Sequence, residues 1–222
     1  MKLSNPGGWV SGARLLLGLA LLSSLAACSQ GPVLSSEAST EFAAQGLQVV
    51  QSSGFEQAYA RPGAGLSSYR SIDAEKMSVA DVHISHTTAP GTMRRDWLIT
   101  PEREANVQAA WAQSMDRAFA NYPSAAAGAK ILRITAALTR LDPGMTSSAG
   151  GGLPGSAAGT SSNTVDVSVE FRFYDQGSGD LLVVIRDRRT IPTAQWSRAA
   201  GVDMVNLFGS WAALLHTRVS GQ

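Results

Sequence analysis

The chain has 222 residues, 18 of them Lys or Arg and 17 Asp or Glu, with 44% apolar side chains and a single cysteine. A formal net charge of +1 gives none of the basic excess that captures nucleic acid, and one cysteine excludes a disulfide framework. No apolar run reaches the roughly 20 residues that a membrane-spanning helix needs, which excludes a helical span in the mature chain.

Lys2 and Arg14 precede an apolar run from Leu15 to Leu25, followed by small residues. That is the layout of a secretory signal peptide over residues 1–27. Leu25-Ala26-Ala27-Cys28 resembles the lipobox of bacterial lipoproteins, which implies that Cys28 is lipidated and becomes the first residue. Two or three acyl chains anchor firmly, whereas one alone binds marginally. Acylation would also consume the only thiol, removing thiolate catalysis and zinc-cysteine sites. Ser29 stands where an aspartate would favour the inner membrane in such lipoproteins, so the resemblance implies an outer-membrane protein facing the periplasm. Removing residues 1–27 takes away Lys2 and Arg14 and leaves 16 basic against 17 acidic side chains. The remainder has the size of one ordinary domain.

Residues 28–46, rich in Ser, Ala, Gln and Gly, read as a flexible tether, with a short helix expected over Glu37 to Ala44. A single domain is expected over 47–222. Tyr69 to Ile84 alternates in slipped registers (Ile72 and Ala74, Met77 and Val79, Val82 and Ile84), which predicts one bulged strand. Thr100-Pro101-Glu102 reads as a helix start, and Val107, Trp111, Met115, Ala118 and Tyr122 recur at helical spacing up to Pro123. A helix is predicted over about 101–121.

Lys130 to Leu141 places Leu132, Ile134, Ala136 and Leu138 on one face of a strand. Thr164 to Asp175 alternates Val165, Val167, Val169, Phe171 and Phe173 with polar residues, and "DQGSGD" then turns it into a further strand at Leu181 to Ile185. Between these strands, Asp142 to Asn163 is too small and polar to bury much surface, and residues 142–163 are expected to form a disordered or mobile loop. Met204, Phe208, Trp211, Leu215 and Val219 form a second helical stripe. The expected fold class is α+β: a two-layer sandwich with a mainly antiparallel sheet of about four strands and two helices on one face.

Few residues carry a chemical signal. Gly150, Gly152 and Gly155 spell a dinucleotide fingerprint, but no helix follows to hold a pyrophosphate, so no nucleotide is expected. His83 and His86 lie three apart and share one metal only if the strand ends between them, with Asp81 or Asp96 completing the set. No G-x-S-x-G elbow is present. The cluster Arg186, Arg188 and Arg189 suits anionic lipid headgroups or an envelope polymer, and Asp187 partly balances it. No catalytic residue, cofactor or metal is expected.

The motifs "SSGFEQAY", "RPGAGLSSYRSI", "AKILRITAALT", "FYDQGSGDLL" and "WAALL", spread over about Ser52 to His216, resemble a bacterial lipoprotein family known as Domain of Unknown Function 3313. Glu56 departs from the leucine common after the Gly-Phe pair there. The resemblance implies no catalytic residues. The expected function is a non-catalytic, lipid-anchored envelope module that binds another envelope protein or polymer or serves an assembly. The alternatives are a carrier of a lipid or apolar small molecule, and a periplasmic hydrolase using His83 or His86.

Overall fold

The structure is a computed structural model that describes residues 32–86, 93–122, 129–147, 161–198 and 202–221. The lipobox cysteine, the triple-glycine motif and the middle of the expected loop lie outside the described residues. In chain order the strands are β1 (Val33–Ala38), β2 (Gln48–Gln51), β3 (Gln57–Ala60), β4 (Ser71–Ala74), β5 (His83–Ile84), β6 (Ile131–Ser147), β7 (Ser161–Asp175) and β8 (Leu181–Pro192). The helices are α1 (Pro101–Ala118), α2 (Thr193–Arg198) and α3 (Val202–Ser220).

All the strands join one mixed sheet in the order β1-β2-β3-β8-β7-β6-β4, with β5 also paired to β6. This is twice the expected number of strands. The extra ones are short, and two to six residues carry too little alternation to be read as strands. The long antiparallel triplet β6-β7-β8 is the frame, and β3 adds to it through Gln57 to Ala60 opposite Val183 to Arg186. The two parallel partners, β4 and β5, lie on β6. Parallel neighbours need a crossover, and α1 lies on that crossover between β5 and β6.

The expected single strand over Tyr69 to Ile84 is instead three separate touches on β6. Residues 71–74 pair with 131–134, Ser78 bridges Ala137, and 83–84 pair with 140–141. Between them the chain leaves the ladder so that Met77 and Val79 enter the core. The apparent slip of register therefore reflects loops that drop apolar side chains inward.

Two boundaries also differ. The tether does not reach residue 46, because Val33 and Leu34 pair with Gln51 and Val50 in the sheet. Phe42 and Leu47 are buried on Val184, a large apolar anchor that the Ser/Ala-rich composition conceals. A strand and a single 3-10 turn at Ala43–Gln45 replace the expected helix. The loop is likewise shorter than 142–163, since β6 and β7 stay paired out to Ser147 opposite Ser161. Backbone hydrogen bonds sustain a ladder without large side chains. Pro143 is tolerated beyond the last residues of β6 paired to β5, where β6 has one neighbouring strand among the described residues.

Helix α1 begins as expected. The Thr100 hydroxyl accepts from the Arg103 N–H at 3.2 Å, with Pro101 in the first turn and Glu102 and Glu104 at the positive end of the dipole. It ends at Ala118 rather than 121, and Tyr122 turns aside to donate to the Tyr69 carbonyl at 2.9 Å. Helix α3 buries the whole predicted stripe, and its end is closed by Gly221 at φ 74, donating to the Thr217 carbonyl.

The helices cover the face carrying Leu132, Ile134, Val167, Val169, Phe171 and Phe173. At the centre, Phe171 stacks on Trp111 of α1 (5.5 Å, 22°) and meets Trp211 of α3 edge-on (6.2 Å, 67°). Phe208 of α3 touches both tryptophans. Phe171 is thus where sheet and both long helices meet. Phe171→Ala is expected to cost about 3–5 kcal/mol, read as a lowered urea midpoint with unchanged m-value. A loss under about 1 kcal/mol would show that the aromatic cluster is not the packing centre.

Candidate functional site

Alternation along β8 decides what the basic cluster does. Neighbouring side chains on a strand point to opposite faces, so Arg186 and Arg188 lie with Val184 on the outer face, while Asp187 and Arg189 lie with Ile185 on the helix-covered face. The cluster that looks contiguous in sequence is split by the sheet.

On the outer face, Arg186 donates to both oxygens of Glu41 (2.7 and 2.6 Å) and to Glu170 (2.7 Å), and its guanidinium lies over the Phe42 ring at 5.4 Å. Glu170 also accepts from Arg172 at 2.6 Å. Arg188 reaches Glu56 at 3.3 Å. Hydrogen bonds from Arg186 hold the Glu41 carboxyl below the usual carboxylate range, partly opposed by burial. The same bonds push the Arg186 guanidinium up, with the hydrogen bond to Glu41 contributing most. The Arg186 contacts with Glu41 and Phe42 clamp the 39–47 segment onto the sheet.

On the inner face, Asp187 is only 6% exposed. One carboxylate oxygen accepts from Trp211 Nε1 (2.7 Å) and Arg189 Nε (2.8 Å), and the other accepts from the Glu56 backbone N–H (3.0 Å). A buried carboxylate must be paired and hydrogen-bonded to be tolerated, and Asp187 satisfies both conditions. Of the three arginines it pairs with Arg189 alone, on the helix-covered face. It joins α3, β8 and the turn before β3.

That turn shapes a third feature. Ser52 has φ 54 and Gly54 φ 81, the left-handed region that glycine enters without penalty. The Ser53 hydroxyl accepts from the Phe55 N–H at 3.2 Å, and Arg218 of α3 donates through Nε to the Ser53 carbonyl at 2.8 Å. A Cβ on Gly54 would lie 3.0 Å from Arg218 Nη2 and 3.6 Å from Leu214, so the backbone angle requires glycine and the close approach would make the Arg218 side chain shift. Beneath the turn is a cavity of about 150 Å³, lined chiefly by Val50, Phe55, Ala58, Phe173 and Ile185, with Arg218 on its wall. Neither Arg218 nor the cavity carries a signal in the sequence. The visible clue is "SSGF", a turn between two short apolar runs.

His83 and His86 are both exposed, and β5 does end at Ile84. Asp81 is exposed, and Asp96 is engaged in accepting from the Met93 N–H at 2.7 Å. Among the described residues, no group of three or more His, Cys, Asp or Glu side chains is placed to hold a metal ion. The third histidine, His216, packs edge-on against Phe119 and Tyr122.

No protein-family model matches the chain, and no curated protein matches it. Among solved structures it is similar to a point variant of the PelC dodecamer from Paraburkholderia phytofirmans. The identity is 16% and the TM-score 0.34, covering 68% of this chain and 90% of that one. A second crystal form of that dodecamer gives 14% and 0.34, covering 68% and 91%. Protein XCC0632 from Xanthomonas campestris, of the DUF330 family, gives 12% and 0.38, covering 72% and 92%.

The pairing of Glu41 has a pH signature. Its carboxyl is depressed below the ordinary 4.5 in the folded protein, so its contribution is present above that value and lost as pH falls through the lowered one. Glu41→Gln should lower the urea midpoint at pH 7, with the gap from wild type closing as the pH falls through the lowered value of the carboxyl. A gap independent of pH would contradict the pairing.

Proposed function

We propose that this chain is a non-catalytic, lipid-anchored module of the bacterial envelope. It faces the periplasm from the outer membrane as a two-layer α+β sandwich and binds another envelope component. The observation that carries this reading is the position of Cys28. The lipobox-like Leu25-Ala26-Ala27-Cys28 stands four residues before Pro32, and the first strand begins at Val33. Four residues span at most about 14 Å of extended chain. A domain joined to its anchor this closely works at the membrane surface rather than across the periplasm. The resemblance to lipoproteins of Domain of Unknown Function 3313 supports the same placement.

The arginine cluster supports a binding role less than its sequence suggests, because its charges are spent on Glu41, Glu56, Glu170 and Asp187. A second reading, carriage of a lipid or apolar small molecule, is favoured by the apolar cavity beside Arg218.

Expression of the full chain and of Cys28→Ala in a two-membrane bacterium, followed by membrane separation and mass measurement of the mature N-terminus, tests the anchor. Wild type is expected to begin at an acylated Cys28 and to fractionate with the outer membrane, and the variant to lose both properties. An unmodified Cys28, or a mature chain that begins after it, would overturn the proposal.

A further inference from the structure

We propose that the cavity under the Ser52–Glu56 turn takes the alkyl chain of a single-chain anionic amphiphile, with its head group on Arg218. The inference rests on the binding-module reading and names its ligand class. Three features carry it.

The first is chemistry of the walls. Val50, Phe55, Ala58, Phe173 and Ile185 make the lining apolar, and among the described residues no acidic side chain lines it. An apolar pocket of this size accepts an apolar guest. About 150 Å³ has room for about five groups the size of a water molecule, at roughly 30 Å³ each. The cavity therefore holds the proximal part of a chain, and the remainder extends outward.

The second is an uncompensated charge. Arg218 spends Nε on the Ser53 carbonyl, but among the described residues no carboxylate forms an ion pair with it. The other arginines around this part of the sheet differ: Arg186, Arg188, Arg189 and Arg61 each face a carboxylate. A guanidinium on the wall of an apolar slot is complementary to a carboxylate or phosphate carrying a hydrocarbon tail.

The third is that the geometry is built. Gly54 lets the turn close onto Arg218, and the Glu56 N–H is tied to buried Asp187. The turn is therefore held against α3 while the space beneath it stays open.

The test uses the full chain carrying Cys28→Ser, so that no acyl group of its own competes and the result does not depend on whether the cysteine is lipidated. Octanoate, octyl phosphate, octylamine and octanol are titrated by calorimetry. Saturable binding of at least one anion, at least tenfold tighter than octylamine, is expected. The tighter anion identifies a fatty acid or a lysolipid phosphate as the natural source.

Arg218→Gln should weaken the anions at least tenfold and leave octanol unchanged. Ala58→Leu, and Val50→Phe as a second filling variant, should remove binding of all four, with folding checked by thermal melts. No saturable binding of either anion, equal binding of octylamine, or anion binding indifferent to Arg218→Gln would overturn the proposal.

Discussion

The structure turns on one buried carboxylate. Asp187 sits on the face of β8 that the helices cover, at a position where alternation calls for an apolar side chain, and it accepts hydrogen bonds from Trp211, Arg189 and the Glu56 backbone. An ionised group in that place is tolerable only because each bond replaces solvation lost on burial. The requirement has directional consequences. It sets the rotation of α3, through the only N–H of an indole side chain, and it sets the path of the chain into β3, through a main-chain N–H. Hydrophobic burial holds α3 on the sheet but is indifferent to small rotations, whereas the Trp211 bond is not.

Around that point the architecture follows from burying one face of a long antiparallel triplet. The inner residues of β6, β7 and β8 need cover, and α1 and α3 supply Trp111 and Trp211 on the two sides of Phe171. The opposite face solves a different problem. It is only partly covered, by Phe42 and Leu47, and the rest is laced with pairs such as Arg133–Glu75 at 3.0 Å and the Arg133 guanidinium over Tyr174 at 4.5 Å. Exposed pairs of this kind contribute little each. Their effect is to fix which polar groups meet on that face, whereas among the described residues Arg218, on the other face, has no acidic partner.

Long periodic segments were legible in the sequence because many side chains vote together. Val165 to Phe173 could be only a strand with one buried face, and Met204 to Val219 only a helix with one buried stripe. Short strands were not legible. Gln57 to Ala60 and Ser71 to Ala74 owe their form to the long strands beside them, an effect absent from any local window. The basic cluster misled for a related reason. Val183, Val184 and Ile185 are all apolar, so the preceding run does not show which face Arg186 will take, and a charge run on a strand divides between faces whatever its composition suggests. The cavity was illegible because Ser53, Gly54 and Arg218 are 164 or more residues apart at their two ends, and only the fold brings them together.

In the proposed reading the protein is attached through Cys28 and binds its ligand in the slot that the Asp187-held turn roofs. The claim at the centre is that Asp187 and Trp211 act as one unit. A double-mutant cycle with Asp187→Asn and Trp211→Phe, measured by urea denaturation at pH 7, tests it most directly. The account predicts a coupling of about 1.5–3 kcal/mol, in the range of hydrogen bonds to charged groups and of residues in direct contact. A coupling within about 0.3 kcal/mol of zero, the additivity expected of independent sites, would contradict it.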